Sequence, residues 1–290
     1  MIEPALALQL AIQGVLLGGI YGLIALGLSI IFGVMGVINF AHGQMMVMGM
    51  YVSYWLFALL GVEPYLSFVL SAATIFALGY VLQAGIVNRI LEYPEAMQVL
   101  PLVSVGLILE NAALMLWGPD HRSPHTALGL KSLWLGSVMI DVSRLLACGL
   151  AAAITIGVFL LLRSTELGKR IRAAADNRTG AVFVGIDVKR INNLSFALGA
   201  ATTGAAGALL LPLMPASPYV GHEFTLIAFT VVILGGLGNL LGALIGGLIL
   251  GVAESLSSLL LPATLKQAVG FTILVLIMLL RPQGLFGGRK

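Results

Sequence analysis

Long apolar runs separated by short polar stretches occupy almost the whole chain. A helix needs about 20 apolar residues to cross a hydrocarbon core roughly 30 Å thick, and eight runs approach or exceed that length. These runs are 6–34, 43–61, 65–88, 96–117, 142–163, 191–211, 224–258 and 266–281. The pattern predicts an all-α polytopic membrane protein, because the strands of a membrane barrel would give short alternating segments instead.

The run 224–258 is too long for one crossing, because a single helix of that length would extend about 52 Å at ~1.5 Å per residue. Gly235, Gly236 and Gly238 lie near its middle. Glycine weakens a helix and allows turns, so we predict a break at 235–239. The chain then has about 8–10 transmembrane helices, and the hydropathy pattern leaves nine and ten spans open.

Composition narrows the class of protein further. Hydrophobic residues make up 59% of the 290 positions and charged residues only 9%, where a soluble domain carries roughly 25%. So few charges could not cover the surface of a soluble domain, and disorder requires low hydrophobicity and high charge. The single Cys148 excludes a disulfide framework. We therefore predict that 1–290 form a single transmembrane domain without a sizeable soluble catalytic domain.

Basic residues are concentrated in two places. Seven of the 15 Lys and Arg lie within the segment 163–190, and three more follow Leu280. Because Lys and Arg collect in cytoplasmic loops, we expect this segment and the C-terminus to be cytoplasmic. The run 224–258 must then cross twice or form a re-entrant hairpin, which agrees with the glycine break. The side of the N-terminus depends on whether 5–60 crosses two or three times.

The loop 164–190 carries the pattern of an amphipathic helix. Ser164 or Thr165 can cap its start, and Gly185 suits its end. Five residues at helical spacing form one apolar stripe: Leu167, Ile171, Ala174, Ala175 and Val182. Two interpretations stay open, a helix on the membrane surface whose bases bind lipid phosphates, and a helix that docks into a partner's groove.

Polar and ionisable residues inside the apolar runs are candidates for a pathway. Glu110 and Glu254 are carboxylates within predicted spans, and burying a charge in lipid is costly. They either line a pathway or make structural hydrogen bonds to neighbouring helices. Asn39 and His42 lie at the predicted cytoplasmic start of the second span, where they either fix a bend or form a gate.

No metal site is predicted from the histidines. His121 and His125 are four residues apart, a spacing that pairs ligands only on a helix. Two nearby prolines, Pro119 and Pro124, argue for a loop. His42 has no second ligand near it in the sequence.

Four blocks of the sequence resemble one family. The block 18–43, with the core Asn-Phe-Ala-His-Gly at 39–43, is similar to the signature of bacterial branched-chain amino-acid ABC transporter permeases. The chain looks like the shorter, H-type member of that family. The blocks 229–254 and 281–287 resemble it as well, and the loop 164–190 resembles its coupling loop. Together these blocks span nearly the whole chain in the expected order.

The resemblance implies a permease subunit of an ATP-driven importer in the bacterial inner membrane. Its partners would be a second, homologous permease, two ATP-binding subunits and a periplasmic substrate-binding protein. The chain contains no GxxxxGKS/T phosphate loop, so ATP and Mg²⁺ would bind to the partner subunits. The chain itself is then expected to hold no cofactor and to be a transport subunit rather than an enzyme.

Two groups of residues follow as candidate sites. The resemblance implies coupling to the ATPase subunits for a set of loop residues: Gly168, Lys169, Arg170, Arg172, Ala173, Asp176 and Gly185. The candidates for the translocation pathway or its gate are Asn39, Phe40, His42, Glu110, Gly235, Gly236, Gly238 and Glu254.

A second hypothesis is an ion-coupled secondary transporter or channel that uses Glu110 and Glu254, because such carriers also need intramembrane carboxylates. An intramembrane enzyme fits less well, since the spans contain no convincing nucleophile–base pair. The transported solute stays open, because in this transporter class the separate binding protein sets much of the selectivity.

Overall fold

The predicted apolar runs all form helices in the computed structural model, which describes residues 4–124, 126, 131–136, 138–262 and 265–287. The elements of these ranges are α1 (Pro4–Met35), α2 (His42–Leu60), α3 (Pro64–Leu82), a π-helical turn (Gln83–Val87), α4 (Asn88–Ile90), α5 (Glu95–Trp117), β1 (Ser132–Leu135), β2 (Val138–Asp141), α6 (Val142–Ser164), α7 (Glu166–Asp176), α8 (Arg178–Phe183), α9 (Val188–Leu210), α10 (Val220–Gly235), α11 (Leu240–Ser257) and α12 (Lys266–Leu280). The predicted all-α polytopic fold is confirmed.

The number of spans agrees with the prediction. Within the described ranges, seven helical stretches are long and apolar enough to cross a membrane, and two shorter apolar helices, Val220–Gly235 and Ala268–Leu280, accompany them. The break predicted at 235–239 is confirmed, since α10 ends at Gly235 and α11 begins at Leu240. The long apolar run is therefore two helices.

The predicted start of α10 at position 224 is wrong by four residues. The helix begins at Val220 and includes His222 and Glu223, two polar residues at which the apolar run ends in the sequence. The exposed His222 side chain contacts Glu110, and hydropathy does not register such a partner.

Helices α1 and α11 pack with their backbones in contact. A Cβ atom added to Gly18 would lie 2.6 Å from the carbonyl oxygen of Gly247, and one added to Gly251 would lie 2.5 Å from the Cα atom of Gly18. Gly14 and Gly22 meet α11 one turn to either side. The small-residue spacing of the sequence thus lets these two helices approach closely along their length.

Helix α9 lies at the centre of the bundle together with α1. In each of these helices 83% of the most apolar window is buried, against 22% in α5. Helix α9 meets α1 where Gly199 faces Gly27, and it meets α3 where Gly204 faces Ile75. Glycine and alanine let the backbones approach in this core. Helix α5, by contrast, leaves most of its surface free of contacts within this chain.

The segment between α1 and α2 turns back into the bundle. Gly36, with φ +69°, follows the end of α1 at Met35, and the chain then runs without helix until His42. Nε2 of His42 lies 2.9 Å from the carbonyl oxygen of Ile24. Ile24 precedes the end of α1 by 11 residues, which is about 16 Å at ~1.5 Å per residue. The predicted position of His42 at the membrane face is therefore wrong, because the non-helical segment carries the start of α2 deep into the bundle.

Helix α10 begins at the same depth as α2. Oγ1 of Thr225 accepts the Gly43 N–H at 3.0 Å, and Gln44 packs on Gly221. The 16 residues of α10 cover about 24 Å at ~1.5 Å per residue, less than a hydrocarbon core roughly 30 Å thick. Two helices therefore start inside the membrane, an arrangement found in transporters with discontinuous helices.

A β-hairpin that the apolar pattern does not predict lies between α5 and α6. Strands β1 and β2 pair antiparallel, with Ser132 opposite Asp141. Ahead of the hairpin, the Arg122 guanidinium lies 5.6 Å from the Tyr54 ring centroid and 5.4 Å from the Trp55 ring. Helix α6 runs from this hairpin to α7, so the hairpin and α7 lie at opposite ends of the bundle.

Gly247→Val is expected to lower the thermal stability of the protein in detergent. The added side chain meets the backbone of α1 at Gly18 and Gly22, and overpacking of this kind costs about 1–3 kcal/mol. The measurement is the midpoint of loss of the monodisperse peak in size-exclusion chromatography after heating. Gly157→Val in α6 is the matched control, because nothing lies within 4 Å of a Cβ atom at that position. Equal midpoints for the two variants would contradict a close α1–α11 contact.

Candidate functional site

His42 ties three helices together at the start of α2. Its side chain is fully buried, and Nε2 lies 2.9 Å from the Ile24 carbonyl oxygen and 2.8 Å from Oγ1 of Thr203. The Thr203 hydroxyl donates to the Gly199 carbonyl oxygen, so the imidazole Nε2–H is the donor toward both neighbours. These bonds favour a structural role at the helix start over an exposed gate.

Asn39 organises the non-helical segment before α2. Oδ1 accepts the Ala41 N–H at 3.1 Å, and Nδ2 lies 3.7 Å from Sδ of Met45. Ala41 occupies the N-cap position, and Asn39 closes the turn just before the helix, which agrees with the alternative that it fixes a bend. Phe40 packs on α10, with its ring centroid 5.0 Å from that of Phe229.

Glu110 forms a polar cluster with residues of two other helices. Oε2 of Glu110 accepts a hydrogen bond from Nε2 of Gln44 at 3.1 Å and lies 2.6 Å from Nε2 of His222. Gln44 is 1% exposed, the Glu110 side chain 14% and the His222 side chain 59%. These three residues, the Glu110 cluster, run from the interior of the chain to its surface at the depth where α2 and α10 begin.

The partners of Glu110 have only a weak signal in the sequence. His222 lies just outside the apolar run that starts at 224, and its partner is 112 residues away. Gln44 reads as an isolated polar residue in α2. The feature that could identify both is a polar side chain in the first turn of an apolar helix.

Glu254 lies on the other side of α10. It is buried, and Oε2 accepts a hydrogen bond from the Tyr21 hydroxyl at 3.1 Å, which joins α11 to α1. Glu223 lines the small cavity beside it, whereas the neighbouring His222 contacts Glu110. The structure thus does not bring the two predicted carboxylates into one site, and the bond to Tyr21 favours a structural role for Glu254.

Gly235, Gly236 and Gly238 belong to a turn between α10 and α11, the glycine turn, which packs on the segment after α12. Gly236 has φ +99° and Gly238 has φ +78°, a region that favours glycine. The Leu285 N–H donates to the Leu234 carbonyl oxygen at 2.8 Å and holds the two segments together. This turn lies at the α7 end of the bundle, away from the Glu110 cluster.

Two short helices, rather than one, occupy the basic loop. Oγ1 of Thr165 accepts the Gly168 N–H at 3.1 Å and caps α7, which confirms one of the two predicted caps. Oδ1 of Asn177 accepts the Gly180 N–H at 2.8 Å and starts α8, so the prediction of a single helix is wrong. Gly185, with φ +80°, follows the end of α8 and suits the predicted termination.

The interruption divides the predicted apolar stripe. Ile171 and Ala174 are each 4% exposed and pack inward, as predicted. Ala175 and Val182 are exposed, so their place on the stripe is wrong. One step around α7 turns Ala175 away from the bundle, and the break at Asn177 redirects Val182.

The residues implied to couple to the ATPase subunits have two different environments. Gly168 is buried against the end of α6, and the Arg172 guanidinium donates to the Leu162 carbonyl oxygen at that end. Lys169 lies 2.7 Å from Glu166 and lowers the pKa of that exposed carboxyl group. The remaining members on α7 are exposed: Arg170, Ala173 and Asp176.

A cleft of about 850 Å³ separates α7 from the ends of two spans. Arg172, Ala173 and Asp176 line one side of the cleft. Gly33 of α1 and Gly238 of the glycine turn line the other side. Helix α7 is therefore anchored mainly to α6, with lighter contacts to α1 and α9, and one side of it faces the ends of α1 and α10 across an open space.

An exposed apolar patch lies at the end of α8. Val182, Phe183 and Val184, the α8 patch, are 57%, 85% and 76% exposed. The patch belongs to the basic loop and lies outside the apolar spans, so crossing the membrane does not explain its exposure. Contiguous exposed apolar residues of this kind indicate a surface for a protein partner or a membrane.

The structure describes only one of the two histidines that are four residues apart in the sequence. His121 is exposed in the loop after α5, whereas His125 lies outside the described residues. Among the residues that the structure does describe, no group of three or more His, Cys, Asp or Glu side chains could hold a metal ion.

His42→Leu is expected to lower the thermal stability of the protein. Leucine leaves the Ile24 carbonyl oxygen and the Thr203 hydroxyl without the imidazole donor, and an unsatisfied buried polar group costs about 1–3 kcal/mol. Thermal unfolding in detergent, followed by size-exclusion chromatography, measures the effect. Thr74→Ala is the control, because its exposed hydroxyl bonds only to Leu70 of its own helix. A wild-type midpoint for His42→Leu would count against the role assigned to this histidine.

Known proteins match the sequence of this chain over nearly its whole length. The family model described as branched-chain amino acid transport system / permease component matches residues 10–279. The high-affinity branched-chain amino acid transport system permease protein LivH of Salmonella typhimurium is 32% identical over 97% of this chain and 95% of its own length. Over the same shares, LivH of Escherichia coli is 31% identical and BraD of Pseudomonas aeruginosa, a permease protein of the same description, is 29% identical. No solved structure matches the chain significantly.

These matches cover the first span, the basic loop and the last helix alike. Together with the apolar helices they identify a multi-pass membrane protein. The chain belongs to the family of permease components of branched-chain amino acid transport systems.

Proposed function

We propose that this chain is one permease subunit of an ATP-driven importer in the bacterial inner membrane, which carries branched-chain or related amino acids. The names of the relatives support that class of solute. Its partners in this proposal are a second, homologous permease, two ATP-binding subunits and a periplasmic binding protein. The chain forms half of the translocation pathway, and ATP with Mg²⁺ binds to the ATP-binding subunits.

The observation that carries the proposal is the α8 patch beside the basic helix α7. Phe183 in this patch is 85% exposed although the loop lies outside the spans. An apolar patch with basic neighbours suits a groove on a soluble subunit. A helix on the membrane surface would bury its apolar face in lipid, whereas α7 buries Ile171 and Ala174 within the chain.

The contacts of α7 provide a mechanical route from the ATP-binding subunits to the spans. Arg172 bonds α7 to the end of α6, and Gly168 lets the two helices touch. Gly33 and the glycine turn lie across the cleft. When ATP draws the partner subunits together, a push on α7 moves α6 directly and closes the cleft onto α1 and α10. The exposed Lys169 and Arg170, with Gly185 at the end of α8, form the docking side, whereas Ala173 and Asp176 line the cleft.

The pathway in this proposal runs along the surface that carries the Glu110 cluster. An exposed ionisable side chain at this depth is costly in lipid and suits a water-filled passage. Asn39, Phe40 and His42 act indirectly, because they fix the start of α2. Glu254 joins α11 to α1 beside the pathway, and the glycine turn forms its cytoplasmic hinge.

The distribution of charge supports a cytoplasmic location for α7, α8 and the C-terminus. Nine apolar helices counted back from that side put the start of α1 in the periplasm. The β-hairpin lies at the opposite end of α6 from α7, so it faces the periplasm in this orientation. That end of the bundle is where a periplasmic binding protein would dock.

An ion-coupled carrier is not favoured. Such a carrier would use Glu110 and Glu254 together, but the two carboxylates have separate partners on opposite sides of α10. The family to which the chain belongs consists of permease components of multi-subunit transport systems.

Phe183→Ala is expected to weaken binding of the ATP-binding subunits to this chain. Its ring is the largest side chain of the α8 patch, and truncating an aromatic anchor of an interface costs about 2 kcal/mol, or more than tenfold in affinity. The measurement is the recovery of ATP-binding subunits with the tagged chain on dilution in mild detergent. Phe271→Ala is the control, since Phe271 is exposed on the spanning helix α12. Unchanged recovery with Phe183→Ala would show that another surface docks the partners.

Arg172→Gln is expected to leave the ATP-binding subunits bound but to lower solute uptake per ATP hydrolysed. The variant weakens the bond to the Leu162 carbonyl oxygen, and a hydrogen bond from a charged group is worth about 1.5–3 kcal/mol. The ratio of L-leucine uptake to phosphate release in proteoliposomes measures this coupling. Arg190→Gln, at an exposed position in the first turn of α9, is the control. A wild-type ratio for Arg172→Gln would exclude the proposed route through α6.

A further inference from the structure

We propose that the Glu110 cluster is a subsite of the pathway that contacts the charged backbone groups of an α-amino acid. Glu110 contacts the α-ammonium group of the solute, and His222 contacts its α-carboxylate group. This inference rests on the proposed function, because it names a contact that the solute makes during import.

One of the two carboxylate oxygens of Glu110 is available to accept a hydrogen bond from a solute. The bond from Gln44 and the contact with His222 converge on Oε2. Among the residues that the structure describes, none donates a hydrogen bond to Oε1. A carboxylate oxygen binds a cationic N–H donor more strongly than a neutral one. The free oxygen is therefore suited to an ammonium group.

Gln44 is an independent indication of a missing donor. It is 1% exposed and donates to Glu110 through Nε2, yet its Oε1 has no hydrogen-bond partner among the described residues. Leaving a buried amide oxygen unpaired is unfavourable. An ammonium group has three donors, enough for the Glu110 carboxylate and for this amide oxygen.

His222 supplies the group that faces the solute carboxylate in this subsite. Its Nε2 contacts Glu110, and its side chain is 59% exposed on the surface of the chain. As an imidazolium it donates from both ring nitrogens, one to Glu110 and the other to a solute carboxylate. The first turns of α2 and α10 meet here, and helix N-termini favour anionic groups at this depth of a transporter.

Two polar residues, Ser104 and Asn111, interrupt the otherwise apolar exposed face of α5 near the cluster. Ser104 and Asn111 are exposed, and their side chains donate to the carbonyl oxygens of Leu100 and Leu107 one turn earlier. In the window of α5 that is most apolar, only 22% of the residues are buried within this chain. Polar residues in a span face the bundle interior or water rather than lipid. In the proposed subsite, the side of α5 that carries Ser104 and Asn111 faces the passage between the two permeases.

The experiment uses the complete transporter in proteoliposomes, with Asn111→Cys in a Cys148→Ser background. Asn111 follows Glu110 and bonds only to its own helix, so the new thiol reports on this surface without removing the cluster. A membrane-impermeant thiol reagent labels the chain in the presence of L-leucine, of 3-methylbutylamine, which has only the ammonium group, or of 4-methylpentanoate, which has only the carboxylate. ATP-driven L-leucine uptake by the unlabelled transporter reports separately on the proposed function.

L-leucine is expected to slow labelling about tenfold, and each singly charged probe much less, because only the zwitterion engages both Glu110 and His222. Glu110→Gln is expected to abolish this protection. Glu223→Gln, a carboxylate next to His222 that lines the cavity on the other side of α10, is expected to preserve it.

Three outcomes would overturn the subsite even where ATP-driven uptake is intact. Absence of labelling in the Asn111→Cys chain would place lipid or a helix of the second permease over this surface. Equal protection by all three probes would show that the charged groups are not recognised. Protection that survives Glu110→Gln would show that Glu110 is not the contact.

Discussion

The hydrogen bond between the Ile24 carbonyl oxygen and the His42 imidazole sets where α2 begins, and the rest of the polar interior depends on that point. Inside a membrane, backbone and polar groups need partners within the protein or in water-filled cavities. With α2 starting at this depth, Gly43 is paired with α10 and Gln44 with Glu110. The Glu110 cluster and the short α10 are thus consequences of the same local departure from helix.

The molecule combines a tightly packed core with more lightly attached outer elements. Helices α1, α9 and α11 touch through glycine backbones, as at Gly18 and Gly247, and a substitution there displaces a whole helix. Helix α7, by contrast, is held mainly to α6, by Gly168 and by one guanidinium bond from Arg172, and it has lighter contacts with α1 and α9 beside an open cleft. Alternating access by rigid-body rocking requires a core that moves as a unit. It also requires a peripheral helix, here α7, that contacts only part of that core.

The helices and the break at the glycine turn could be predicted because hydropathy and glycine content are local properties of the sequence. The depth of His42 could not, since it depends on a contact with Ile24 across a non-helical segment that hydropathy reads as a loop at the membrane surface. His222 is hidden for the same reason, because its partner Glu110 is 112 residues away. In the basic loop, the helix cap and the concentration of charge could be predicted from the sequence. The direction of the second helix could not, because it depends on one side-chain hydrogen bond of Asn177.

Uptake of L-leucine into proteoliposomes tests most directly whether this chain moves its solute only at the expense of ATP. The vesicles contain the chain with the proposed second permease and ATP-binding subunits, and the proposed binding protein is supplied on the outside. We expect uptake that requires enclosed ATP and persists when ionophores collapse all ion gradients. Uptake without ATP, driven by an imposed proton gradient in vesicles that contain this chain alone, would contradict that mechanism.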